Sequence, residues 1–368
     1  MDIIRLSNVK LLNVIIMEKL IRNLRVLSWY IIIGTIVTPV TGQALAAGTP
    51  QVGKVYPGLV SSSLININLI DSDKKPVKPL LDFLKLYNIK HQGTLKSIKL
   101  AMEEYFIRKP SPTQLNLVAD TEQDVKVRSS ALRLLRNMDF VDAIPHFRVN
   151  ADYFLVFGGP LSRVEKRFND FLIQYNAGTL QCKNIVLLGN SRKLQPSEVE
   201  KIRNTLGIKY GDFLKDIKKQ GNQLTEADML RYIWRTKATV NLKNKFQESV
   251  NLFFVTSAFV DTLDVIQGNK PSPSTANTIE DWVKGCIPTP GSCHANVEKP
   301  YAVRMEKTLR LALEKYSREP LETKKPFSIT WNSPAADNDV LMAVYKEELA
   351  RAYSQEYELK KYLGIISE

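Results

Sequence analysis

Tyr153-Phe154-Leu155-Val156-Phe157-Gly158-Gly159-Pro160 holds five apolar residues in a row, without alternation, followed by two glycines. A strand buried on both faces reads this way, and such strands belong to parallel sheets covered by helices. Glycine lacks a Cβ, so the backbone there can turn sharply and let a ligand come close. The spacing over residues 161–175 predicts a helix. Strand, glycine turn and helix open an α/β domain whose ligands sit beyond the carboxyl ends of its strands.

The rhythm continues downstream. Residues 184–188 (Asn-Ile-Val-Leu-Leu) predict a second strand, closed by Gly189-Asn190-Ser191-Arg192, and Pro196 starts a helix to about Leu206. Thr225 reads as the N-cap of a helix to about Thr236, with Glu226 and Asp228 in its first turn. Residues 251–256 predict a third strand, 277–284 a helix, and 301–316 another with room for a short strand before it. Residues 327–331 predict a last strand and 338–362 a long last helix. Alternating strands and helices imply α/β: an open, mainly parallel Rossmann-like sheet with helices on both faces, over residues 151–368.

Upstream, residues 78–150 predict a helical region, with a break at His91-Gln92-Gly93 and a helix over 122–138 that carries Lys126, Arg128, Arg133 and Arg136. A cap on the main domain is one role for it, and contact with an anionic membrane surface is another. Residues 47–77 read as a linker. Residues 1–46 read as a signal peptide. A basic lead (Lys19, Arg22, Arg25) precedes an apolar run, and Ala44-Leu45-Ala46 fits cleavage after Ala46. Met17 is an alternative start, and an uncleaved inner-membrane anchor is the alternative fate. Export to the periplasm or cell envelope permits disulfides, and the turn-rich loop between Cys286 and Cys293 could close one. Cys182 reads as a small core residue.

The chain has 368 residues and a net charge of +13, of which residues 1–46 supply +3. The remainder favours acidic partners such as phosphates or anionic lipid. No RNP-like or arginine-rich motif supports nucleic-acid binding. Two cysteines and His294 are too few for zinc, so no metal is expected. No Gly-x-Ser-x-Gly, HExxH, GxGxxG or P-loop pattern occurs. His294 and Glu298 read as loop residues. What remains is a convergence of turns. Gly158 and Gly159, then Gly189, Asn190, Ser191 and Arg192, then Ser274, Thr275, Asn277 and Thr278 should meet at one sheet edge. Backbone N–H groups, hydroxyls and a guanidinium there suit a phosphate or carboxylate.

These turns resemble the YdcF/SanA/ElyC-like family of bacterial α/β domains, over about residues 150–362. The resemblance rests on Val156-Phe157-Gly158-Gly159, on residues 186–192, on Thr225-Glu226-Ala227-Asp228-Met229, on residues 274–281, and on residues 297–305, which end in Arg304-Met305. It implies a Rossmann-like cleft at the strand ends, a role in envelope biogenesis and an adenosyl-type or nucleotide-like ligand, with Arg304 at the site. Asp281 stands where the family commonly has Asn, and no clear His stands before the Arg304 segment in the place the family pattern gives it. Three functions follow as expectations. The first is an exported protein that binds an anionic or nucleotide-like small molecule. The second is a phosphoryl or glycosyl-phosphate transferase or hydrolase, with Glu226 as base and Arg192 as charge stabiliser. The third is a non-catalytic interaction module with a decayed pocket, whose helices 122–138 and 301–316 contact a partner or membrane.

Overall fold

The computed structural model describes residues 68–107, 119–217, 223–238, 251–256, 275–286, 288–316 and 327–367. The signal-peptide reading and most of the proposed linker lie outside them, as does Ser274. All described residues belong to one unit by their contacts.

The apolar runs form five parallel strands: β1 (Val149–Phe157), β2 (Leu180–Gly189), β3 (Asn251–Thr256), β4 (Ser292–Asn296) and β5 (Ser328–Asn332). Their order is β3-β2-β1-β4-β5, parallel throughout. The order reverses between β1 and β4, which makes that gap the topological switch point of the sheet.

Side chains alternate across the sheet, so each strand feeds two cores. On one face Phe154, Val156, Ile185 and Leu187 pack under α4 (Leu161–Asn176), α5 (Pro196–Leu206), α6 (Tyr210–Asp216) and α7 (Glu226–Ile233). On the other face Leu155, Phe157, Val186, Leu188, Ala295 and Trp331 pack under α8 (Thr275–Cys286), α9 (Tyr301–Tyr316) and α10 (Met342–Tyr362). The upstream helices α1 (Lys78–Leu86), α2 (Leu95–Phe106) and α3 (Glu122–Asn137) add Phe83, Met102 and Leu135 to this second core. They are therefore continuous with the main domain's packing.

The structure bears on three expectations. In the helix over 301–316, Arg304 pairs with Glu348 at 2.6 Å, partly exposed Arg310 with Glu306 at 2.8 Å, and Lys307 is buried beside Glu306 and Glu356, while Lys315 is exposed. In α3, Arg128 is bound to Asp120 and to the Asn338 and Val340 carbonyls, while Lys126 and Arg133 stay exposed. All three cysteines are free. Cys286 ends α8 in the open, whereas Cys293 points from β4 into the core, so no bridge closes the loop between them.

Candidate functional site

The sheet's carboxyl edge brings the first two predicted turns together, and two carboxylates of the chain itself lie between them. Glu226 opens α7, whose N-cap Thr225 accepts from the Asp228 N–H. Its carboxylate is 4% exposed; Oε1 accepts from the Asn190 N–H at 3.2 Å and Oε2 from Arg192 Nε at 3.3 Å. Glu198, in the first turn of α5, accepts from the Leu161 N–H at the start of α4 (2.9 Å), from the Gln195 N–H (2.9 Å) and from Arg192 Nη1 (3.1 Å). Arg192 also donates to the Gly159 carbonyl at 3.2 Å. One guanidinium thus ties the loops after β1 and β2 to the starts of α5 and α7.

The two carboxyl groups differ electrostatically. Burial raises the pKa of Glu226, with Arg192 and the Asn190 N–H opposing only in part. Burial also pushes Glu198 upward, but Arg192 and the Gln195 and Leu161 N–H groups outweigh it and hold Glu198 below the ordinary range. A helix start and an arginine stabilise an anion in this way.

The glycines serve this arrangement. A Cβ on Gly158 would stand 1.9 Å from Glu226 Oε1, and one on Gly189 would stand 2.6 Å from the Ala227 Cα. Gly159 has φ 151°, which side-chain-bearing residues rarely adopt. The close approach expected of a ligand at Gly158 and Gly189 is made instead by Glu226 and by the backbone of α7.

Across the switch point a second tie joins β1 to β4. Arg167, 6% exposed on α4, forks onto Glu298 (Nε–Oε2 2.7 Å, Nη2–Oε1 2.9 Å) and donates to the carbonyls of Phe157 and Gly158. Burial pushes Glu298 upward, but the charge of Arg167, helped by Arg163, keeps its pKa below the usual range. Arg163 lies 4.4 Å over the Tyr301 ring and is partly exposed. Buried Lys299 bonds to Asp139 in the loop before β1.

Comparison with known protein families, characterised proteins and solved structures finds no match for this chain. The resemblance rests on its short motifs alone.

The other predicted residues fall as follows. Asn190 and Ser191 are buried, and Asn190 Oδ1 accepts from the Arg192 N–H at 2.7 Å. Thr275, Asn277 and Thr278 lie in the first turn of α8, on the sheet's opposite face; Thr278 is buried and Asn277 exposed. Arg304 is committed to Glu348 on α10. His294 is not a loop residue but sits within β4, whereas Glu298 lies in the loop as expected, two residues past the strand's end. Arg167 had a legible signal, an arginine on the apolar stripe with Val164, Phe168 and Phe171.

Below the Arg167–Glu298 pair, β4 turns His294 and Asn296 to the α4 face. His294 is fully buried, with Nδ1 2.8 Å from Thr330 Oγ1 and its ring against Phe147 and Phe154. Burial, with the charge of His146 in the same direction, depresses its pKa to about 3. An unfolded histidine titrates near 6.5, so the unfolded chain binds the extra proton first. The contribution is complete above pH 6.5 and is lost as pH falls toward 3, at about 1.4 kcal/mol per unit. Urea unfolding at pH 6.5 and 4.5 should therefore show the wild type losing about 2 kcal/mol more than His294→Gln. Equal losses in the two proteins would contradict the assignment.

Proposed function

We propose that the chain binds a small anionic ligand, phosphate-bearing and nucleotide-like, at the ends of β1 and β2, in exchange with its own carboxylates. One observation supports this most. The Leu161 N–H at the start of α4 and the Arg192 guanidinium already hold an oxyanion, the Glu198 carboxylate. Those donors suit a phosphate equally well. The setting we infer is the cell envelope, from the basic and apolar sequence of residues 17–46. An adenosyl-type ligand remains part of the proposal through the motif resemblance.

Calorimetric titration with inorganic pyrophosphate tests the exchange. Glu198→Gln removes the competing charge and should bind about tenfold or more tightly than the wild type, a gain of about 1.4 kcal/mol. Arg192→Gln should abolish binding. No binding by any of the three proteins, each shown to be folded, would reject the proposal.

That outcome would favour a second reading, in which Arg192, Glu198 and Glu226 form a permanent clasp and the domain acts without a ligand there. The fit of Glu226 against Gly158 favours it. The transferase or hydrolase reading asks Glu226 to reach substrate, yet both its oxygens are engaged and it is almost fully buried.

A further inference from the structure

The α4 face of β4 and β5 carries a group of buried polar atoms that no protein atom satisfies. They are His294 Nε2, Asn296 Nδ2 and Oδ1, and Asn332 Oδ1. His294 and Asn332 are fully buried and Asn296 is 2% exposed. Asn296 and Asn332 are register partners on adjacent strands, and His294 stands two residues before Asn296 on the same face. Their side chains thus project within roughly 7 Å of one another. Elsewhere among the described residues such orphans are single atoms, on Tyr87, Tyr210, Glu306 and Trp331.

The surroundings define what could satisfy them. Phe154 of β1 stacks on Phe171 of α4 (4.6 Å between centroids) and, with Phe147, flanks the imidazole. Gln174 of α4 is spent, accepting from Asn332 Nδ2 and donating to Asp170. Arg167 and Glu298 neutralise each other. The Thr330 hydroxyl donates to the Cys293 carbonyl, so it accepts from His294 Nδ1–H, which leaves Nε2 as a bare acceptor. The group therefore offers three acceptors and one amide donor, with no uncompensated charge beside them. An ion there would bear a large desolvation cost. An uncharged hydroxyl, which both donates and accepts, matches the set, and buried sites of this kind make about three hydrogen bonds to each guest.

We propose that His294, Asn296 and Asn332 form an internal binding site for an uncharged hydroxyl group, supplied either by ordered water or by the polar end of a small ligand. The site is independent of the anion exchange at Arg192. Asn296 is its centre, because both ends of its amide are free of protein partners.

Two measurements on the full chain test this. A high-resolution crystal structure should show ordered density within hydrogen-bonding distance of Asn296 and of His294 Nε2 or Asn332 Oδ1. Separate spheres would assign water; elongated density, with a matching mass released on denaturation, would assign a ligand. Asn296→Leu should melt at a lower temperature than the wild type, since the guest is lost while no protein hydrogen bond is. Absence of density at these side chains overturns the proposal. So does an Asn296→Leu protein that melts higher, the result expected when an unsatisfied amide gives way to an apolar group.

Discussion

Glu298→Ala is expected to lower the free energy of unfolding by about 3–5 kcal/mol, the cost of leaving a buried charge without its partner. Arg167 would keep its bonds to the Phe157 and Gly158 carbonyls but lose both bonds to carboxylate oxygens. Its guanidinium is too buried for water to replace them. The cause is the orphaned charge, so Arg167→Met combined with Glu298→Leu should recover most of the loss, because a well-packed apolar pair often equals a buried ion pair. Urea unfolding of the wild type and these two variants measures this. A single-variant loss under about 1 kcal/mol would mean that the pair behaves as an exposed bridge.

Gly189→Ala is the second large effect. Its Cβ would lie 2.6 Å from the Ala227 Cα, 2.9 Å from the Ala227 nitrogen and 2.8 Å from Leu230 Cδ1. Two of these are backbone atoms at the start of α7, so no rotamer change relieves the clash. Overpacking of a core costs about 1–3 kcal/mol, and a backbone clash puts this case at the upper end, about 3 kcal/mol. At Gly158 the neighbour is the end of the Glu226 side chain. Alanine there would expel the carboxylate rather than displace a helix, so it should cost less. Thermal melts of both variants check the ranking, and a Gly158→Ala protein less stable than Gly189→Ala would reverse it.

β1 and β2 were legible because each holds an apolar run that ends at glycine, and the helices because their caps and stripes are local. β1 reads from residues 153–157 alone, and Thr225 marks the start of α7 without help from the rest of the chain. β4 was less legible. It has five residues, of which Ser292, His294 and Asn296 are polar, so no apolar run reveals it, and its short alternation misleads because the polar His294 and Asn296 are buried as well. The glycines were read correctly as points of close approach, but the group that approaches Gly158 lies 68 residues away, and no local pattern names it. Arg192 was correctly placed at the β2 turn, yet its partners Glu198 and Glu226 become neighbours only through the crossover helices. Arg167 and Glu298 are 131 residues apart, and their pairing follows from the reversal of strand order between β1 and β4.

The same tertiary closeness explains the chemistry of the edge. Strand-end donors that suit an external anion are satisfied by Glu198 and Glu226, which folding holds at high effective concentration. An external ligand must therefore supply more charge, or more contacts, than a single carboxylate.

Crystals of the full chain grown with inorganic pyrophosphate test this exchange most directly. The account predicts that an oxyanion replaces the Glu198 carboxylate on the Leu161 N–H and Arg192, with Glu198 swung away. Glu198 remaining in place on both donors, with pyrophosphate bound elsewhere or nowhere, would contradict it.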